Sequence, residues 1–192
     1  MRNPIVLFAL FIGLITLNSC GYNSIVEKRE EVGKQWANVE SAYQRRADLV
    51  PNLVRTVKAA ADFEQKTLTQ VIEARSKATS IQLKADDLTE ENLARFQAAQ
   101  DELKGALSRL MVTVEQYPQL RATQQFADLQ VQLEGTENRI NVERNKFNEA
   151  VGDYNQYIQK IPQNIYAGWF GFTQKSYFKS DVGAEKAPEV QF

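Results

Sequence analysis

The residue with the most distinctive chemistry is Cys20, the only cysteine in a chain that has no histidine. It follows Leu17, Asn18 and Ser19, with a small residue directly before the sulfur. That pattern resembles a lipoprotein processing site, where the thiol takes a lipid and the cysteine becomes the first mature residue. The competing reading makes Cys20 a small hydrophobe at the edge of an anchor helix, because free Cys often packs that way. One Cys permits no internal disulfide and no CxxC site. The lack of His removes Ser-His-Asp and Cys-His machinery, zinc sites that use His, and the Glu-x-x-His pairs of di-iron bundles. Carboxylate, lysine and tyrosine chemistry remains. Glu134 and Glu137, in "EGTENR", share a helical face and could bind a cation or act as acid and base. No second acidic pair supports them, so they read as salt-bridged surface groups with Arg139 and Arg144 as partners. No catalytic residue, metal site or cofactor is expected.

Residue types suited to binding are more evident. Asn138, Asn141, Asn145, Asn148 and Asn155 recur at helical spacing, with Gly152 in the gap, and share one face. Asn is a mediocre helix former, so propensity does not place them there. They read either as a solvated boundary whose amides reach Glu and Arg of neighbouring helices, or as a docking strip for a partner helix. "NIYAGWFGFTQKSYF" (164–178) concentrates Tyr166, Trp169, Phe170 and Phe172, with Tyr177 and Phe178 beyond. Gly168 and Gly171 argue against a regular helix there. Such side chains suit a membrane interface or a plug for the open end of a bundle. Arg45-Arg46-Ala47-Asp48 reads as a charged corner where one helix ends and the next begins.

These groups need a scaffold and a location. The chain opens Met1-Arg2-Asn3-Pro4 and then runs "IVLFALFIGLITL" (5–17), a positive start and a short apolar core. A spanning helix needs about 20 apolar residues, which favours processing at Cys20 over an uncleaved single-pass anchor. Either arrangement leaves the rest of the chain on the far side of the membrane from the cytoplasm. Thereafter apolar residues follow 3/4 spacing: Ile25, Val32, Trp36, Val39, Tyr43; Val50, Leu53, Val57, Ala61, Leu68, Val71; Leu93, Phe96, Leu103, Leu107, Leu110; and Leu133, Ile140, Phe147, Tyr154, Ile161. One stripe per helix requires a partner for each. Breaks fall at "KADDLTEEN" (84–92), with Thr89 as a helix start, and at Tyr117-Pro118. Near Asp48 two readings compete: a turn with Pro51 in the next helix's first turn, or one helix continuing through Pro51, with the stripe in phase on both sides. Matched helix lengths favour the turn. The expected fold is therefore all-α: an up-and-down antiparallel four-helix bundle with an N-terminal lipid or membrane anchor and an irregular aromatic C-terminal tail. A long coiled coil is the alternative. The divisions are an anchor or signal segment (1–19), a bundle (20–162) and a tail (163–192). Four antiparallel helices would return the tail to the membrane, beside Tyr22.

"QRRADLVPNLVRTVKAAADFEQKTL" (44–68), "YPQLRATQQFADLQVQLEGTENRINVERNKFNEAVGDYN" (117–155) and "GWFGFTQKSYF" followed by "GAEKAPEVQF" resemble the LemA family, in order and across nearly all of the mature chain. The resemblance implies a helical, membrane-anchored envelope protein and no enzymatic activity. Many relatives look like simple single-span proteins, whereas this chain carries Cys20. The expected function is a non-enzymatic scaffold or interaction protein of the bacterial envelope. The alternatives are a lipid-binding or membrane-shaping protein, or an accessory subunit of an envelope enzyme. The expected partners are membrane lipid at the anchor and a protein of unknown identity. A net charge of −1 offers nothing to nucleic acid.

Overall fold

Six α-helices follow one another in a computed structural model that describes residues 4–59 and 64–179, with side chains from Gly21 onward. They are α1 (Pro4–Lys58), α2 (Gln65–Ser80), α3 (Glu90–Val114), the single turn α4 (Pro118–Arg121), α5 (Gln124–Gln159) and α6 (Gln163–Phe170). A short 3-10 turn, Ala85–Asp87, joins α2 to α3. The described residues contain no strand, so the fold is all-α as the stripes require. Ala61 falls outside the described residues.

Pairings across the helices set their directions. Arg46 meets Glu137, Trp36 meets Phe147 and Lys28 meets Asp153, so α5 runs antiparallel to α1. Tyr43 meets Phe96 and Arg46 meets Gln100, so α3 runs alongside α1 in the same direction. Between them α2 returns with Arg75 opposite Ala47 and Ala78 opposite Gln100. Local chemistry explains the starts. The Thr89 hydroxyl accepts the Asn92 amide at 3.3 Å and Thr123 accepts Phe126 at 3.4 Å, each supplying one of the orphan helix donors. Pro118 opens α4 where its missing N–H is harmless.

The expected turn near Asp48 is absent: α1 passes straight through Pro51 and ends at Lys58. A proline inside a helix leaves the carbonyl four residues earlier without its donor. Here that carbonyl belongs to Ala47, and the Arg75 Nε of α2 donates to it at 2.8 Å. A remote side chain thus repairs the ladder. Arg75→Met is expected to cost about 1–3 kcal/mol, the penalty for a buried acceptor left unpaired. Pro51→Ala restores the intrahelical donor, so in that background the same change should cost less than half as much. Urea unfolding of the four variants checks this, and equal costs in both backgrounds would show that Arg75 acts otherwise.

Two apolar cores stack along the molecule. The one nearer the N-terminal apolar run gathers Ile25, Val32, Trp36, Phe96, Phe147, Tyr154 and Phe178. The far one gathers Leu53, Val57, Val71, Leu103, Leu110 and Phe126. A polar layer separates them. Arg46, 1% exposed, donates to Glu137 Oε1 at 2.7 Å and to the Gln100 carbonyl and side-chain oxygens at 2.9 Å each. Its guanidinium also lies 5.2 Å from the Tyr43 ring centre. Gln100 in turn donates to the Ala78 carbonyl at 3.1 Å, tying in α2. Arg46 is therefore not a corner residue. No helix ends there, and Asp48 instead accepts from Gln44 at 2.8 Å. Glu137 takes Arg46 rather than Arg139 or Arg144, while Glu134 accepts from Gln130.

Candidate functional site

The end of the bundle beside Gly21 and Tyr22 is built from α1, α6 and the segment after α6. Against expectation, residues 163–170 form a regular helix despite Gly168; the stretch 172–179 is irregular, as expected. The helix stops at Gly171, whose φ of 71° is left-handed and favours glycine. Phe172 N–H then donates back to the Ala167 carbonyl at 2.9 Å, closing the helix end in the Schellman manner. Ala167 is buried, and Tyr166 lies against Gly21, where an added Cβ would sit 3.4 Å from its ring. The Tyr22 ring packs 4.8 Å from Phe170 and 5.8 Å from Phe172. Trp169 stays 76% exposed and Phe170 59%, flanked by exposed Ile161 and Ile165. Tyr166, Trp169, Phe170 and Phe172 thus assemble beside Tyr22, two residues after Cys20. The side chain of Cys20 lies outside the described residues.

Beyond Gly171 the chain runs as an extended strap, 172–179, back along α5. Two asparagines of the Asn face hold it. Asn155 donates to the Lys175 carbonyl at 2.8 Å and accepts the Lys175 N–H at 2.9 Å. Asn148 treats Phe178 the same way, at 3.1 and 2.9 Å. Tyr154 donates its hydroxyl to the Thr173 carbonyl at 3.0 Å. Lys175 Nζ reaches the Ala85 carbonyl at 2.9 Å, and Lys179 pairs with Glu90 at 2.8 Å, so the strap also binds the α2–α3 connection and α3. Phe178 is the apolar peg: 4% exposed, its ring lies 6.0 Å from Trp36 and 5.4 Å from Phe147, under the Arg144 guanidinium at 5.0 Å.

The Asn face is therefore divided. Asn148 and Asn155 are occupied by the chain's own backbone and are not open to an outside helix, which corrects the reading of all five as one docking strip. Asn138, Asn141 and Asn145 are exposed. Sequence reasoning missed Arg46, Gln100 and Glu143 as interior polar groups, although a signal was present. Each sits on an apolar stripe: Arg46 between Tyr43 and Val50, Gln100 between Phe96 and Leu103, Glu143 between Ile140 and Phe147. Glu143, 1% exposed, is held by Arg139 Nε at 2.7 Å and Lys146 Nζ at 3.4 Å.

An open cleft of ≈ 600 Å³ lies between α1 and the stretch from Ala78 to Lys84. Its titratable side chains are Glu40, Tyr43 and Lys84. Burial raises the Glu40 carboxyl above its ordinary value, against hydrogen bonds that lower it. Burial also pushes the Tyr43 hydroxyl up to about 12, so it holds its proton throughout the physiological range. Among the described residues no cluster of three or more His, Cys, Asp or Glu is placed to hold a metal ion. No helix among them is long and apolar enough to cross a membrane.

Long antiparallel helices, a self-clamped strap and an exposed aromatic end beside the N-terminal apolar run define an all-α protein organised around one end. The sequence profile of the LemA family matches residues 35–192, and the chain belongs to that family. It is similar to "Magnetosome protein MamQ 2" of Paramagnetospirillum magneticum, 28% identical over 82% of this chain and 64% of that protein. "Magnetosome protein MamQ" of Magnetospirillum gryphiswaldense is also 28% identical, over 87% of this chain and 68% of its own length. "Protein LemA" of Metamycoplasma hominis is 22% identical over 97% of this chain and 79% of its own.

Proposed function

We propose that this LemA-family chain is a membrane-anchored, non-enzymatic scaffold of the bacterial cell envelope, seated on the lipid surface by its aromatic end. The observation that carries this reading is the placement of exposed Trp169 and Phe170 against Tyr22, at the root of α1. Large apolar groups left in water beside an anchor suit the interface, where aromatic rings gain from partial burial. The non-enzymatic reading rests on the chain's lack of His and on the cleft chemistry. Burial raises the Glu40 carboxyl, and the Tyr43 hydroxyl, pushed up to about 12, keeps its proton beside it and supplies no base. From Gly21 to Lys58, α1 would carry the far core about 57 Å from its root at 1.5 Å per residue. That length presents the sides of α3 and α5 to a protein partner, whose identity is not encoded in the site.

The full chain in liposomes containing brominated lipids tests the seating. Trp169 emission should be strongly quenched while buried Trp36 is spared, so Trp169→Phe should remove most of the quenching. Equal quenching in both proteins would lift α6 off the membrane and defeat the reading. The anchor is proposed to be lipid on Cys20. Intact mass of the native protein should show a chain beginning at a modified Cys20, and Cys20→Ala should retain the apolar segment. An unmodified native chain beginning at Met1 would mean a single-pass anchor.

A further inference from the structure

An open cleft of ≈ 480 Å³ lies between α1 and α5, lined in part by Arg45, Ser41 and Asn38 from one and Arg139, Gln132 and Gly135 from the other. Its lining holds two arginines and no carboxylate. Two other open clefts carry both signs: Glu40 with Lys84 in one, Glu134 and Glu137 with Lys104 in the other. Unopposed positive charge thus sets the α1–α5 cleft apart from them.

The antiparallel register brings its two arginines to one level. Arg46 meets Glu137 and Trp36 meets Phe147, so Arg45 stands opposite Asn138, next to Arg139. Arg139 is held from behind. Its Nε donates to the buried Glu143 at 2.7 Å, while two thirds of the Arg139 side chain stays exposed, at 66%. That contact fixes the plane of the guanidinium. Glu143 is shared with Lys146 at 3.4 Å, so it does not cancel the local charge. Arg45 is exposed and has no hydrogen-bond or ion-pair partner among the described residues. Like charges facing across one gap repel unless an anion lies between them. The Ser41 hydroxyl and the Gln132 carboxamide add neutral donors to the same walls. Gly135 keeps the floor open, since an added Cβ there would meet nothing within 4 Å.

We propose that this cleft binds a phosphate group carried by a molecule outside the bilayer. A phosphate monoester brings close to two negative charges and three acceptor oxygens, which match two guanidinium forks with neutral donors beside them. One carboxylate brings a single charge and two oxygens. The source follows from height. Arg45 lies about 36 Å along α1 from Gly21, whereas headgroups extend only about 5–8 Å beyond the hydrocarbon on each side. This choice of source rests on the seating proposed above, and the site itself does not.

Inorganic phosphate titrated into the full chain in non-ionic detergent, followed by the amide resonances of Ser41, Arg45, Gly135 and Arg139, tests the proposal. Arg139→Gln would orphan the buried Glu143, so unpartnered Arg45 carries the test. The parent should show saturable shifts at these amides. Arg45→Gln should raise the half-saturating phosphate concentration about tenfold. Arg55→Gln, the same loss of charge at an exposed position of α1 outside the cleft, should leave it unchanged. Shifts that fail to saturate, or equal half-saturation in the parent and Arg45→Gln, would overturn the site. Acetate that binds as well as phosphate would overturn the phosphate assignment. In nanodiscs at 0.15 M salt, the titration should be the same with and without phosphatidylglycerol. Loss of the phosphate shifts when that lipid is present would give the cleft to bilayer headgroups and overturn the soluble source. Failure of the Trp169 quenching would defeat the seating while leaving the detergent titration as it stands, so the two readings fail separately.

Discussion

Arg46→Ala should destabilise the protein by about 3 kcal/mol, the lower end of the cost of breaking a buried ion pair. The lower end applies because the Glu137 side chain is 30% exposed and regains water when its partner leaves. Gln100 is 5% exposed and has no such recourse: its side-chain oxygen loses the guanidinium donor in the same change. Arg46 touches α3 and α5 directly and α2 through Gln100, so the loss falls on all four long helices. The double substitution Arg46→Met with Glu137→Gln should recover only part of the stability: an apolar chain of similar length fills the space without orphaning a charge, but the Gln100 side-chain oxygen still lacks its donor. Arg46→Lys should not recover it, because an ammonium cannot reproduce the planar fork that holds Glu137 and Gln100 together. Denaturant midpoints at constant slope decide between these outcomes. A loss below about 1 kcal/mol for Arg46→Ala would show that the layer contributes little.

Phe178→Ala should cost about 3 kcal/mol, the low end for deleting a buried Phe ring. The strap can peel away and water can refill the site, which limits the cost. The substitution has a local signature as well. Phe178 stacks on Trp36 with 20° between the rings, and the chain's only other tryptophan is Trp169. In a Trp169→Phe background the emission therefore reports Trp36 alone. Phe178→Ala should shift it to longer wavelength as water reaches the indole, and Phe178→Leu, which keeps most of the volume, should shift it little. Unchanged emission in Phe178→Ala would show that the peg does not seal this core. The strap also explains why Asn148 and Asn155 occupy helix positions that a better helix former would otherwise fill. Each supplies a donor and an acceptor on one short, stiff side chain, which suits it to hold an extended backbone edge.

Much of the scaffold is legible in the sequence because its causes are local. The apolar stripes mark the long helices, Thr89 marks the start of α3, and Tyr117-Pro118 marks the break before α5. The heptad spacing of Asn141, Asn148 and Asn155 is also visible, as are the polar residues sitting in apolar seams. Their meaning is not local. Pro51 looks like a helix start until Arg75, from another helix, is seen to occupy the carbonyl it orphans. Gly168 looks like a break, yet α6 persists because Ala167 and Phe170 pack against the neighbouring structure, and only Gly171, at positive φ, ends it. Residues 1–20 carry a positive start and a short apolar run, on which the proposed membrane anchor rests. What the sequence by itself determined is the all-α class, the helical stripes and the family, because periodicity and composition act over a few turns. The tertiary structure alone decided that α1 is one unbroken rod, that Arg46 lies between two cores, and that the tail becomes a strap. Each depends on a polar group finding its partner 28 or more residues away, and burial makes that pairing obligatory.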